Sequence, residues 1–272
     1  MRKLALALAL TLHALVATAS SGPADVILSH LAALTAELPE PAREALARID
    51  TPQRKLLAAR SYAKAGEQLV ERWSWTAEQI RRYERSADYS RLLAEVDAVK
   101  QAFEQQNPGY GLYVNLQVRT LELQIERWNS NPGVAKTANE LYGALQRELS
   151  AHRYPVRANA ESTQRMKRFL VNWYPSTAAP LAAPGLSAHG QLRAIDFQVV
   201  RGEQVIAGTS IASVRRAWDQ PGWRDRLQRA VQSVGAQFVG PLRSPNEPWH
   251  YTYMPSVQQA GVRADCSAQR AC

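Results

Sequence analysis

Two short stretches carry the residue types that could do chemistry. One is Ser187-Ala188-His189-Gly190-Gln191-Leu192-Arg193-Ala194-Ile195-Asp196, and the other is Glu247-Pro248-Trp249-His250-Tyr251-Thr252-Tyr253; their histidines stand 61 positions apart. Together they supply two imidazoles and two carboxylates. A catalytic zinc site needs three nitrogen or oxygen ligands, an open fourth position for water and a base beside that water. His189 and Asp196 are seven positions apart, which one straight strand would place on opposite faces. The spacing works if His189 ends a loop and Asp196 lies within the strand that follows. His250 must then arrive from a distant segment. Glu247, three residues before it and held by the stiff Pro248, would stand beside the metal without binding it.

The elements that must position these residues are legible as patterns. Ala194 to Val200 alternates as a strand does, with Ile195, Phe197 and Val199 on one face and Ala194, Asp196 and Gln198 on the other. Asp196 therefore faces away from the apolar side on rigid backbone. Gly202 turns the chain into Gln204–Ala207. Ser210–Trp218 and Trp223–Val234 read as helices, the second ended by Gly235, and Ala236–Val239 reads as a short strand. Upstream, Tyr110–Val118 is rich in β-branched and aromatic residues and predicts a strand. Thr120–Trp128 predicts a helix. Val134–Leu149 predicts an amphipathic one, with Ala138, Leu141, Leu145 and Leu149 on one face. Residues 174–186, with Pro175, Pro180 and Pro184, form the loop into the first motif. Residues 24 to about 106 read as helices. Thr51-Pro52 makes a good helix start. Thr76 to Gln79 fits a capping box that opens a long helix through Phe103, stopped by Asn107-Pro108-Gly109. The expected fold is α+β: a small, mainly antiparallel sheet carrying the zinc site with flanking helices, preceded by an α-helical N-terminal region.

The ends of the chain set the compartment. Arg2 and Lys3, the apolar run Leu4–Val16 and the Ala17-Thr18-Ala19 site read as a signal peptide over 1–19. That run holds 13 residues, short of the roughly 20 that span a bilayer. Export to the periplasm or beyond follows, with no stable membrane span expected. The remaining divisions are a helical region over 24–106, a catalytic domain over 107–256 and a tail over 257–272. The tail holds both cysteines, Cys266 and Cys272, and export favours a disulfide between them. The formal net charge is +9, or +7 without Arg2 and Lys3. The basic residues are scattered among acids on helix faces, so no nucleic-acid module is expected, whereas an anionic cell-wall polymer suits the sign. His30 and His152 lack neighbours for a Ser/His/Asp triad, and no protein partner for the N-terminal helices can be named.

The S-x-H-x6-D stretch followed by E-P-W-H-x-x-Y resembles the zinc D-alanyl-D-alanine carboxypeptidases of the vancomycin-resistance type. These belong to a group that also holds lysostaphin-like endopeptidases and the hedgehog signalling domain. The resemblance spans roughly residues 106–256 and implies that His189, Asp196 and His250 bind zinc and that Glu247 is the catalytic base. Val118 to Gln124 is similar to the family's R-[ST]-x3-Q segment. By that match Arg119 would contact the substrate carbonyl or carboxylate, and Gln124 would shape the pocket. Ser187 is expected as a hydrogen-bonding residue of the substrate pocket rather than a nucleophile. One position departs from the pattern: the family has Gly three residues after the first histidine, and Leu192 stands there. The implied activity is hydrolysis of peptidoglycan stem peptides. The alternatives are a crosslink endopeptidase and a non-catalytic, zinc-stabilised wall-binding module.

Overall fold

The computed structural model describes residues 22–254 apart from Ala236 and Ser244. The expected signal peptide and the Cys266–Cys272 disulfide lie outside the described residues. Within them the fold is α+β, with helices α1 (Pro23–Ala36), α2 (Glu40–Ala47), α3 (Pro52–Ala65), α4 (Ala77–Glu84), α5 (Ala87–Gln106), α6 (Leu121–Ser130), α7 (Pro132–Ala151), α8 (Ala160–Asn172) and α9 (Trp223–Ser233). The strands are β1 (Gly111–Val114), β2 (Ala194–Arg201), β3 (Gln204–Ala207), β4 (Phe238–Val239) and β5 (His250–Tyr253).

Local chemistry explains most boundaries. The Thr51 side chain accepts from the Arg54 amide to open α3, and Thr76 and Gln79 form the reciprocal capping box of α4. The helix expected to run from Thr76 through Phe103 is instead two. Arg85 leaves helical geometry, and the Ser86 hydroxyl donates to the Tyr83 carbonyl while accepting from the Tyr89 amide, so one serine ends α4 and caps α5. β1 is shorter than expected. After Val114 the chain continues without strand pairing to Thr120, and the Asn115 side chain accepts from the Gln117 amide. Ser210–Trp218 forms a 3-10 turn and a π-helical turn rather than an α-helix. Helix α8 was not foreseen, although Asn159 caps it and Thr163, Met166 and Leu170 form its buried stripe.

The chain builds two hydrophobic cores. One joins α1, α2 and α3 to α6, α7 and α8 around Ile27, Leu56, Trp128, Leu141 and Met166. The other joins α5 and α9 to the sheet around Phe103, Phe197, Trp218 and Tyr251. The cores interleave in sequence, so packing does not follow a division at 106/107. His30 is fully buried in the first core and bonds the Val26 carbonyl and the Ser162 hydroxyl, a packing role.

The sheet is antiparallel with order β1-β2-β5-β4, and β3 forms a hairpin with β2. Ile195, Phe197 and Val199 turn toward α5 and α9, as their alternation predicted. Asp196 and Gln198 turn to the other face. Among the described residues no helix is long and apolar enough to cross a membrane.

Candidate metal centre

Asp196 and His250 are direct partners across the β2–β5 ladder. Opposed residues of an antiparallel pair share a face with Cβ atoms about 5 Å apart, so the ladder brings together groups 54 positions apart in sequence. The Asp196 Oδ1 lies 3.1 Å from His250 Nδ1. His189 sits in a 3-10 turn, Ala188–Gln191, immediately before β2. Its Nε2 stands 3.4 Å from the Asp196 Oδ2, and the two imidazole rings meet edge to face at 5.1 Å. The side chains of His189, Asp196 and His250 thus form a cluster that could hold a metal ion, with ligand atoms all within 4.8 Å of one another.

Two glycine-type demands shape the turn that carries His189, and different residues meet them. Leu192 adopts the left-handed conformation, φ 53°, as the only described residue other than glycine with positive φ. Leu192 stands where the sequence pattern leads to an expectation of Gly, and a left-handed backbone is the kind that favours Gly. Gly190 meets a different need. A Cβ there would lie 2.1 Å from the Ser74 Oγ and 2.8 Å from the Gln124 Nε2. The Gly190 carbonyl also accepts from the Trp75 backbone amide, and the Gln191 side-chain Nε2 donates to the Glu71 and Trp73 carbonyls. The segment 71–75 therefore clamps the histidine turn. The sequence reading missed Ser74 and Gln191, and no local pattern marks them, because their partners lie 50 and more positions away.

Arg119 reaches the centre from the unpaired segment after β1. Its amide donates to the His189 carbonyl, and its Nη2 donates to the Asp196 Oδ2 at 2.5 Å. Its neighbours Val118 and Thr120 line a groove of about 1040 Å³ together with Trp73 and Trp75. Gln124 is buried, and its amide nitrogen donates to the Arg119 carbonyl and the Ser74 hydroxyl while its oxygen accepts from the Gly185 amide. Its polar atoms are thus engaged by the protein, one of them on the backbone of Arg119. Ser187 opens the histidine turn, where its carbonyl accepts from the Gly190 amide. Glu247 lies on a turn closed by the bond from the His250 amide to the Glu247 carbonyl, and its Oε2 comes within 3.6 Å of His250 Nδ1. Trp249, Tyr251 and Tyr253 are core residues.

The electrostatics suit cation binding. Burial opposes ionisation of Asp196, but the nearby His189, His250 and Arg119 outweigh it and hold the carboxyl well below its usual range. Burial pushes the His189 imidazole down against the pull of Asp196, which favours the neutral ring that ligates a metal. Burial pushes the Glu247 carboxyl up, aided by the nearby Asp196 charge and opposed by His250 and Arg119. The His189 Nε2 is buried without a hydrogen-bond partner, because the 3.4 Å approach to Asp196 lacks hydrogen-bond geometry. A buried polar atom of this kind is disfavoured unless something completes it, and a cation among these three ligands would do so.

No protein-family model matches the chain, nor does any curated protein or solved structure. What the centre can do is read from its own donors and geometry.

Proposed function

We propose that this chain is an exported zinc metallopeptidase that hydrolyses peptidoglycan stem peptides at the D-alanyl-D-alanine end. The observation that carries the reading is the buried His189, Asp196 and His250 cluster with the Glu247 carboxylate 3.6 Å from one of its imidazoles. Two imidazole nitrogens and one carboxylate oxygen, with a separate acid alongside, form the donor set of a catalytic zinc site. Bound zinc would supply Lewis acidity, polarising the scissile carbonyl and making a water proton easier to remove.

The residues of the chain do the rest. Glu247 accepts a proton from the attacking water as the oxygen–carbon bond forms, then delivers it to the amine nitrogen as the carbon–nitrogen bond breaks. A carboxyl raised by burial is suited to both transfers, since its pKa moves toward the working pH. Arg119 holds Asp196 in orientation through one nitrogen. Its side chain is 33% exposed, which leaves guanidinium surface for the developing oxyanion or for a substrate carboxylate. The placement of Glu247 favours turnover over a purely structural zinc module, which has no need of an acid beside its ligands.

Mass spectrometry of muropeptides incubated with the zinc-loaded protein tests the reading, with Glu247→Ala as control. Loss of one alanine from pentapeptide stems, absent in the variant, is the expected result. Conversion of crosslinked dimers to monomers would make the enzyme an endopeptidase as well. Intact muropeptides after incubation with zinc-loaded protein would refute the peptidase reading.

A further inference from the structure

The face of the sheet that bears the ligands also carries two exposed apolar side chains, one on each side of them. Tyr113 of β1 pairs with Gln198 of β2, and Gln198 shares its face with Asp196. Val239 of β4 pairs with Thr252 of β5, which shares its face with His250. Tyr113 is 50% exposed and Val239 is 53% exposed. The opposite face of the same strands, with Leu112, Phe197, Phe238 and Tyr251, is buried in the second core. Alternation alone therefore puts Tyr113 and Val239 in solvent beside the metal centre.

Their placement is symmetric about the ligands. In the register of β2, Tyr113 sits at the level of Gln198, and Val239 sits at the level of Ala194, which faces Thr252. The Asp196–His250 pair lies at the middle level and between the middle strands of the order β1-β2-β5-β4. Three strand spacings of about 4.8 Å and four residues of about 3.3 Å give a diagonal of about 20 Å from Tyr113 to Val239. An extended peptide covers that distance with about six residues, or about three on each side of the centre. Gln198 and Thr252, both half-buried on this face, lie along the diagonal.

We propose that this diagonal is a substrate track. The peptide lies extended across the strands, with Tyr113 holding one flank and Val239 the other, so the substrate continues well past the cleaved bond in both directions. The inference rests on the peptidase reading for what occupies the track, and it adds crosslinked stems, which carry peptide on both sides of the bond, to the stem ends as substrates of the same centre. Tyr113 and Val239 act in binding and take no part in the bond-breaking step.

The test compares a crosslinked muropeptide dimer, which has peptide on both sides of the bond, with a pentapeptide monomer, which has one residue beyond it. Binding is measured calorimetrically with zinc-loaded Glu247→Gln, to stop turnover, and KM and kcat are measured with the otherwise unsubstituted enzyme. Tyr113→Ala and Val239→Ser should each weaken dimer binding and raise its KM about tenfold at constant kcat, the scale expected for one apolar contact. At least one of them should leave the monomer unaffected. Tyr174→Ala, at another exposed tyrosine (73%), is the control. Dimer binding that is sensitive to both flanks but unaccompanied by cleavage would support the track and sink the peptidase reading. Cleavage of the dimer unaffected by either substitution, or no binding of the dimer at all, would overturn the track.

Discussion

Replacing Arg119 with methionine removes the guanidinium from a carboxylate whose side chain is only 8% exposed. Opposite charges with centres about 4 Å apart are worth about 4 kcal/mol at an effective dielectric of about 20. Arg119 is one-third exposed, so its own charge is partly solvated, and screening reduces the loss to about 2 kcal/mol. For a chain of this size that lowers the melting temperature of chelated protein by about 4–8 °C. Zinc changes the arithmetic. A divalent cation on Asp196 supplies the charge that Arg119 provided, so the loss in zinc-loaded protein should fall below about 1 kcal/mol. Zinc at a thousandfold excess over its Kd should itself stabilise the unsubstituted protein by about 4 kcal/mol. Thermal unfolding of both proteins, each with chelator and with zinc, gives all four values. An equal loss with and without zinc would refute the coupling between Arg119 and the ligand carboxylate. Zinc that fails to raise the melting temperature of the unsubstituted protein would refute the metal centre itself.

Three further outcomes are expected. Glu247→Gln should abolish hydrolysis yet raise the stability of the chelated protein at neutral pH: the folded Glu247 carboxyl is raised, so its contribution is present below about pH 4.3 and lost as pH rises through the folded value. A melting curve at pH 7 in which Glu247→Gln is the less stable protein would contradict that sign. Gly190→Ala would drive a methyl into Ser74 and Gln124, which should cost about 2 kcal/mol or more and weaken zinc binding at the adjacent His189; unchanged affinity in zinc titrations would mean the clamp by residues 71–75 does not position the ligand. Leu192→Gly relieves about 1 kcal/mol of left-handed strain but removes a side chain only 5% exposed, worth about 2–3 kcal/mol. Chemical denaturation should therefore find a net destabilisation, and a gain in stability would show that strain outweighs burial there.

Much of the centre was legible in the sequence because it depends on short-range rules. The alternation of Ala194–Val200 already put Asp196 opposite the apolar face, and the seven-residue spacing required a turn between His189 and Asp196. Hydroxyl caps at Thr51 and Thr76 marked helix starts for reasons confined to one turn of chain. Local patterns were less informative where two outcomes were close in energy. Ser86 can sit inside a helix or cap one, and in the fold it caps α5. The segment after Val114 has strand composition, yet it leaves the ladder and delivers Arg119 to Asp196.

What the sequence by itself determined is the inventory: two imidazoles, two acids and strand and helix periods that aim them. The tertiary structure alone decided three things. It set the β2–β5 register that makes Asp196 and His250 partners, it bonded the Gln124 side chain to the Arg119 carbonyl, and it placed Tyr113 and Val239 symmetrically about the ligands. The physical reason is the same in each case. Side-chain direction along one element follows from a fixed period, whereas which element lies alongside it depends on burying two hydrophobic cores whose members are scattered through the chain.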